Sequence, residues 1–240
     1  MTYANALVTG NSSGLGLGFT RVLLEAGTEV YGLSRRGCPL EHTRLHDQRA
    51  DLSELAAIPD AVNTLLSETT SLDLVLLNAG LLGDIQDLHT TPVSTLEDLM
   101  RVNVWANKVL LDALIACNIP CKQIVLISSG AAVNGNRGWG GYSLSKATLN
   151  MLTMLYAHEM PDSHFCALAP GLVDTAMQDY LCDPSRIDAK TYTSLARLRA
   201  ARGTDAMPGP DDAAKTIINS LPLLQRENSG SFIDIRTFTS

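Results

Sequence analysis

The chain lacks several features that define whole classes of protein. No apolar run reaches the length needed to span a bilayer. The first ten residues have no basic stretch followed by an apolar one, so we expect no secretion signal. Lys and Arg (18) are outnumbered by Asp and Glu (25), which gives a net charge of -7 and a pI of about 5.1. This acidic balance argues against a nucleic-acid partner and against an anionic membrane surface.

Cysteine is scarce and odd in number. Five cysteines in 240 residues fit reduced thiols better than a disulfide framework, so we expect a cytoplasmic protein. Cys117 and Cys121 have CxxxC spacing, but no histidine or second cysteine pair lies close in sequence. We interpret both as packing residues and expect no metal site, with metal binding as a remote alternative.

The chain also has no internal repeat, no low-complexity tract and no linker, so we expect one domain over residues 1–240. Short apolar runs alternate with helical patterns. The pattern predicts strands at 4–9, 29–34, 43–50, 73–78, 122–128, 164–169 and 232–235, and helices at 14–26, 53–67, 95–116, 141–159 and 211–221. This alternation is typical of an α/β fold with a doubly wound parallel sheet of the Rossmann type, in about seven strands with helices on both faces.

Residues 172–209 break the alternation. They contain no strand pattern, only short amphipathic pieces at 174–181 and 189–202. The segment follows the sixth strand, at the edge where doubly wound sheets bind ligands, so we expect a lid over the substrate. A helical surface excursion without a role is the alternative. Met177, Tyr180 and Leu181 could close over a ligand or simply pack on the body.

A glycine-rich turn joins the first strand to the first helix. Its spacing is GxxxGxG, and glycines at this place let the backbone approach a pyrophosphate at the helix N-terminus. The residues that we expect to hold the cofactor here are Gly10, Ser12, Ser13, Gly14, Leu15 and Gly16.

The end of the second strand indicates which nicotinamide cofactor is bound. NAD enzymes of this fold commonly carry an acidic residue there, whereas this chain has Ser34, Arg35 and Arg36. Guanidinium groups suit the 2′-phosphate of NADP(H), and a solvated basic turn is the alternative. We expect Asp51 and Leu52 at the adenine edge, and small residues after the fourth strand to leave room for the cofactor, namely Asn78, Ala79 and Gly80.

Tyr142 and Lys146 are the best candidates for acid–base chemistry. Residues four apart share one face of a helix, so the phenol and the ammonium would lie side by side. A nearby positive charge lowers the pKa of a tyrosine from its usual value of about 10. The pair could therefore protonate or deprotonate an oxygen, although YxxxK alone also occurs in helices without such a function.

Taken together, these motifs resemble those of the short-chain dehydrogenase/reductase family over nearly the whole chain. The shared features are TGxxxGxG, Asn-Ala-Gly at 78–80, Ser129, Tyr142 with Lys146, and Pro170-Gly171. The resemblance implies a catalytic tetrad of Asn103, Ser129, Tyr142 and Lys146. Tyr142 would donate the proton, Ser129 rather than Ser128 would bind the substrate oxygen, and Lys146 would lower the tyrosine pKa and hold the nicotinamide ribose. Asn103 would hold a water in the middle of a helix. The nicotinamide would follow Pro170, Gly171, Val173 and Thr175.

A narrower similarity points to the sepiapterin reductase branch, which includes bacterial benzil reductases. It rests on residues 78–84, 138–142, 169–178 and 229–234. The branch implies that Asp234 anchors a pterin, although Asp234 could equally just close the last strand. The loop at 37–42 is shorter than in vertebrate sepiapterin reductases. Trp139 and Met177 would line the substrate pocket, with core packing as the alternative for Trp139.

The expected function is therefore an NADPH-dependent carbonyl reductase of a sepiapterin-like or benzil-like ketone. An NAD(P)-dependent alcohol dehydrogenase and a catalytically silent NADP-binding regulatory or scaffold protein are the alternatives. The family resemblance also implies a homo-oligomer, a dimer or tetramer, formed by helices 95–116 and 141–159. A small-molecule carbonyl substrate is then the expected partner, without nucleic acid or membrane.

Overall fold

A computed structural model describes residues 3–238 of the protein. Seven parallel strands form one sheet in the order β3-β2-β1-β4-β5-β6-β7. The strands are β1 (Asn5–Thr9), β2 (Glu29–Ser34), β3 (Leu45–Arg49), β4 (Leu72–Leu77), β5 (Cys121–Ile127), β6 (His164–Ala169) and β7 (Ser231–Asp234). The predicted fold class is confirmed.

The strand order reverses at β1, which pairs with β2 on one side and with β4 on the other. At such a switch point the loops after neighbouring strands turn to opposite faces of the sheet and leave a crevice. The crevice opens at the carboxyl ends of the strands, where the glycine-rich turn and the Asn-Ala-Gly turn both lie.

Helices cover both faces of the sheet. The helices are α1 (Gly14–Glu25), α2 (Ile58–Leu65), α3 (Val93–Met100), α4 (Ala106–Ala116), α5 (Gly140–Glu159), α6 (Ala176–Cys182), α7 (Ser194–Ala201), α8 (Pro210–Leu224) and α9 (Ile235–Phe238). Short 3₁₀ turns lie at Leu55–Ala57, Leu88–Thr90 and Gly130–Ala132.

Alternate residues of the strands belong to two separate apolar cores, because successive side chains of a strand point to opposite faces of the sheet. Leu7, Val75 and Leu126 pack against α2, α4 and α5. Val8, Leu76 and Val125 pack against α1 and α8. The near-continuous apolar runs that predicted the strands follow from this two-sided burial.

A π-helical segment, Arg101–Trp105, joins α3 to α4 within one long helical stretch. A π turn accommodates one residue more than an α turn, and such segments often occur at functional sites. Asn103 lies at its centre and is fully buried.

The segment that we predicted to be a lid forms α6 and α7 and has an apolar core of its own. Buried Leu181, Ile187, Leu195, Leu198 and Met207 pack together and against Ile85 of the body. Across residues 3–238, no helix combines the length and apolarity needed to cross a membrane.

Candidate active site

A cavity of about 720 Å³ lies at the carboxyl edge of the sheet, and most of the predicted site residues line it. Those that do are Gly10, Ser12, Ser13, Gly14, Leu15, Ser34, Arg35, Arg36, Asp51, Leu52, Asn78, Ala79, Gly80, Ser129, Trp139, Tyr142, Lys146, Pro170, Gly171, Val173, Thr175 and Met177. The motifs, scattered over the chain, therefore meet in one place. Gly16, Asn103 and Asp234 do not line this cavity.

The glycine-rich turn is built for close approach of backbone to backbone. Gly10 has a φ of 70°, a conformation that costs glycine little and other residues more. A Cβ at Gly16 would lie 2.3 Å from the carbonyl oxygen of Gly10, so this glycine closes the turn rather than facing the cavity. The Thr9 hydroxyl accepts hydrogen bonds from the backbone N–H groups of Asn78 and Ala79, at 3.0 and 3.1 Å. These two hydrogen bonds fix the glycine-rich turn relative to the Asn-Ala-Gly turn.

The residues after β2 fit the adenosine end of NADP(H). The Ser34 hydroxyl is buried and has no hydrogen-bond partner among the described residues, as expected of a group that a ligand satisfies. Arg36 donates to the Ser13 hydroxyl at 2.9 Å, so its guanidinium lies over the glycine-rich turn. Arg35 lies 3.8 Å from Asp51. Arg36 is paired with no carboxylate in residues 3–238, which leaves its charge available to a phosphate.

Ser129 is better placed than Ser128 to bind a substrate oxygen. The Ser128 hydroxyl donates its hydrogen to Asn150, so this hydrogen is not available to a substrate. The Ser129 hydroxyl oxygen accepts from the backbone N–H of Ala131 at 3.1 Å, which caps a short 3₁₀ turn, and the Ser129 hydroxyl also hydrogen-bonds with Tyr142. The role of Ser129 as the substrate-binding serine stays a prediction.

Tyr142 and Lys146 lie in the first turns of α5 and point into the cavity. Lys146 Nζ lies 5.7 Å from the centre of the Tyr142 ring and donates to the Ile127 carbonyl at 2.7 Å. Burial lowers the pKa of Lys146 to about 8. Burial also raises the pKa of Tyr142, and a hydrogen bond with Ser129 opposes that rise. Desolvation is the largest influence on the pKa of Tyr142, and our expectation that Lys146 lowers this pKa stays a prediction.

The side chain of Asn103 hydrogen-bonds to the loop that follows β4. Its Oδ1 accepts from the backbone N–H of Leu81 at 2.7 Å, and its Nδ2 donates to the Leu81 carbonyl at 2.8 Å and to the Ser145 hydroxyl at 2.9 Å. The bonds tie the loop after β4 to α5, one residue before Lys146. Asn103 therefore positions Gly80 and Lys146, and its predicted water stays a prediction.

Asp234 lies beside the site. It pairs in register with Ala169 at the end of β6, next to Pro170 of the cavity wall. Its carboxylate accepts from Arg236 Nε at 2.9 Å and also from the other arm of the same guanidinium. This pairing holds the pKa of Asp234 below its usual range. Since the charge of Asp234 is already matched, its predicted role as a pterin anchor stays a prediction.

Some cavity residues escaped the sequence analysis. Asp98, Arg101 and Val102 enter from α3 and the π-helical segment, and Gln178 and Leu198 enter from the lid. Asp98, Arg101 and Gln178 are polar residues within helical patterns, which normally indicate solvent-facing positions, so no signal in the sequence separated these three from ordinary surface residues.

Comparison with known proteins identifies the family of the chain. A family model described as short chain dehydrogenase matches residues 4–185, and the chain belongs to the short-chain dehydrogenase family. It is therefore an oxidoreductase of a family that binds nicotinamide cofactors.

Two relatives and one structure show what the chain is similar to. It is 31% identical to a benzil reductase of Bacillus subtilis (strain 168) that forms (S)-benzoin, over 97% of this chain and 98% of that protein. It is 27% identical to an (S)-benzoin-forming benzil reductase of Saccharomyces cerevisiae, over 85% of this chain and 84% of that one. A crystal structure of another Saccharomyces cerevisiae short-chain dehydrogenase/reductase matches with a TM-score of 0.82 at 25% identity, covering 96% of this chain and 95% of that one. The predicted family is confirmed, and the relatives agree with the benzil reductase side of the predicted branch.

Proposed function

We propose that the protein is an NADPH-dependent carbonyl reductase that acts on a ketone or diketone, with Tyr142 as the proton donor. The observation that carries this proposal is the convergence of Ser129, Tyr142 and Lys146 in the cavity that also contains the glycine-rich turn. The similarity to benzil reductases supports a ketone or diketone substrate.

The residues of the chain have distinct tasks in this reaction. NADPH, when bound, supplies the hydride that reduces the carbonyl carbon. The Ser129 hydroxyl donates a hydrogen bond to the carbonyl oxygen and orients it. Tyr142 then transfers its phenolic proton to that oxygen, acting as a general acid. A tyrosine whose pKa is raised by burial remains protonated at neutral pH and is ready for this step.

Lys146 and the basic residues after β2 hold the cofactor in this proposal. Lys146 would bind the nicotinamide ribose, and its ammonium would stabilise the phenolate that remains after proton transfer. Arg36, with Arg35 and Ser34 beside it, would bind the 2′-phosphate. The Asp234 carboxylate is already paired with Arg236 and is therefore not available to anchor a pterin. This pairing favours a benzil-like substrate over a pterin.

The assembly that we propose is a cytoplasmic homodimer. Leu144, Met151 and Leu155 form an exposed apolar stripe along α5. Trp105 and Ile115 are exposed on the neighbouring long helix. A second copy of the chain would cover both surfaces.

Oxidation of NADPH in the presence of benzil or sepiapterin tests the proposed function. Tyr142→Phe should lower kcat/KM for the ketone by about 10²- to 10⁴-fold, the usual contribution of a general acid. The affinity for NADPH, measured by fluorescence titration, should stay within about twofold, because only one hydroxyl is removed.

Tyr156→Phe is the matched control. It removes a buried hydroxyl from the same helix, where Tyr156 bonds to Asp112 outside the cavity. This variant should keep its kcat/KM. The proposal is wrong if Tyr142→Phe reduces ketones as fast as the wild type.

A further inference from the structure

The carboxylate of Asp47 connects two loops that meet beside the cavity. Asp47 belongs to β3 and does not itself line the cavity. Its Oδ1 accepts a hydrogen bond from the side-chain Nδ2 of Asn11 at 2.7 Å, and its Oδ2 accepts one from the backbone N–H of Cys38 at 2.9 Å. Asn11 lies in the glycine-rich turn, and Cys38 lies in the loop after β2. Each carboxylate oxygen therefore holds a different loop.

The bond from Asn11 to Asp47 crosses β2 at Gly32. Gly32 pairs in register with Asp47, and a Cβ at Gly32 would lie 2.0 Å from Asn11 Nδ2 and 2.6 Å from Asp47 Oδ1. Only a residue without a side chain leaves room for this bond. Asn11 is fully buried, and its Oδ1 has no hydrogen-bond partner among the described residues. The Asn11 side chain is thus held through Nδ2 and Asp47.

The two loops that Asp47 connects carry the residues that we assign to the 2′-phosphate. Ser12 and Ser13 follow Asn11 directly, and Arg36 precedes Cys38 by two residues. Nη2 of Arg36 donates to the Ser13 hydroxyl at 2.9 Å and to the Ser12 hydroxyl at 3.4 Å. A phosphate bound by Arg36 would compete for this same donor nitrogen. Asp47 then provides the link between the loops that a bound phosphate does not disturb.

The rest of the glycine-rich turn has supports that are independent of Asp47. The Gly10 N–H donates to the Leu33 carbonyl at 2.9 Å, and the Thr9 hydroxyl holds the turn after β4. These bonds fix the part of the turn that we expect to face the pyrophosphate, which NADPH and NADH share. Loss of the Asp47 bonds should therefore affect mainly the cofactor that carries a 2′-phosphate.

We propose that Asp47 is a positioning residue for the cofactor preference, because it holds the glycine-rich turn and the loop of Arg36 at the separation that a 2′-phosphate requires. A site whose loops are ordered before binding loses less conformational entropy when the ligand arrives. This inference rests on the proposed function as an NADPH-dependent reductase and extends it to a residue outside the cavity.

Asp47→Leu and Asp47→Asn test the proposal, because they remove the same charge and differ in hydrogen bonding. The amide of the asparagine variant can accept from the Cys38 N–H and donate to Oδ1 of Asn11, once the Asn11 amide turns over. Leucine can do neither. In fluorescence titrations the Kd for NADPH should rise about 10-fold in Asp47→Leu, the value of one or two hydrogen bonds, and less than about threefold in Asp47→Asn. The Kd for NADH should change less than about threefold in both.

Gly32→Ala breaks the same bond without changing any charge. Its added methyl group would push Asn11 away from Asp47, so the folded variant should show the same selective loss of NADPH affinity. The proposal is overturned if Asp47→Leu binds NADPH at least as tightly as Asp47→Asn, since the bonds would then be irrelevant. Equal losses for NADPH and NADH in Asp47→Leu would also overturn it, since the carboxylate would then support only the fold. Where Gly32→Ala does not fold, the two Asp47 variants decide.

Two nucleotides without a nicotinamide separate this inference from the proposed function. In calorimetry the wild type should bind 2′,5′-ADP at least about 10-fold more tightly than 5′-AMP, and this preference should fall in Asp47→Leu and persist in Asp47→Asn. That result in a protein that reduces no ketone would defeat the reductase proposal and leave the role of Asp47 standing. Ketone reduction with an unaltered nucleotide preference in Asp47→Leu would do the reverse. Equal binding of both nucleotides by the wild type would overturn the inference.

Discussion

Lys146 shows how a single functional residue affects stability. The residue is 4% exposed and its ammonium donates one hydrogen bond to the Ile127 carbonyl, and burial lowers its pKa from 10.5 to about 8. Below pH 8 the side chain is charged in both the folded and the unfolded state, and the folded state carries the cost of desolvation. Between pH 8 and 10.5 the folded state loses the proton first, so stability rises with pH.

Lys146→Met should therefore stabilise the protein at pH 7, by up to about 3 kcal/mol, the free energy that corresponds to this change in pKa. The advantage should shrink as the pH rises towards 10.5. Urea unfolding at pH 7 and near pH 10 measures the effect, with the exposed Lys215→Met as the control. Equal stabilities of the wild type and Lys146→Met at pH 7 would show that the buried charge costs nothing.

Also at the residue scale, we propose that Arg36 determines the preference between NADPH and NADH. Arg36→Asp should raise the KM for NADPH by about 10- to 100-fold, the value of a charge-assisted hydrogen bond, and should leave the KM for NADH unchanged or lower. Steady-state kinetics with both cofactors measures this change. Arg226→Asp makes the same charge reversal at an exposed position distant from the cavity and should keep the NADPH preference. An unaltered preference in Arg36→Asp would contradict its assignment to the 2′-phosphate.

At the scale of elements, the lid has an apolar core that is separate from the two cores of the sheet. It is joined to the body by few polar contacts, among them the bond from Trp139 to Ser194 and the bond from the N–H of Ile85 to Tyr180. Arg199 donates to the carbonyls of Asp183 and Ile187 and holds the turn between α6 and α7. A defect in the lid core should therefore stay local.

Leu195→Ala tests this independence, because Leu195 is fully buried in the lid core. A cavity of this kind costs about 2–5 kcal/mol. We expect faster proteolysis within the lid and a higher KM for the ketone, with little change in Tm or in NADPH affinity. Leu221→Ala, in the core beneath α8, should instead lower Tm and leave the KM unchanged. A large fall in Tm for Leu195→Ala would mean that lid and sheet unfold together.

The sequence predicted elements well where burial on both sides leaves a continuous apolar run. The β2 and β6 boundaries agree with the predicted ranges 29–34 and 164–169. The π-helical segment could not be predicted from the sequence, because its one extra residue does not interrupt the apolar pattern of the helix, to which Val102 and Val104 belong. The pairing of Asp234 with Arg236 and the burial of Gln178 depend on how the last strand and the lid pack, which no local pattern records.

At the scale of the whole molecule, the exposed apolar surface on α5 determines the assembly that we propose. Met151 is 53% exposed and lies at the middle of the stripe from Leu144 to Leu155. Contiguous apolar surface of this kind is typical of an interface between subunits. If two copies pack through α5, each active site is supported from behind by the partner, because Tyr142 and Lys146 lie on the same helix.

Met151→Asp should convert a dimer into a monomer, because it places a charge in each half of an apolar interface. Light scattering at micromolar concentration measures the mass. Leu223→Asp, the same kind of change at an exposed position of α8, should leave the dimer intact. A wild-type protein that is monomeric at this concentration would rule out the proposed assembly.

The π-helical segment also bears on which changes of length the chain tolerates during evolution. Deleting one residue from Arg101–Trp105 would allow the stretch from α3 to α4 to wind as an ordinary α-helix, so helix content would be kept. Since a π turn accommodates one residue more than an α turn, α3 and α4 would keep their relative orientation and α4 its buried face. The side chains of the segment itself would change direction, however, and Asn103 could then no longer hold Leu81. A deletion that improves the local helix would thus be more harmful than an insertion in a surface loop.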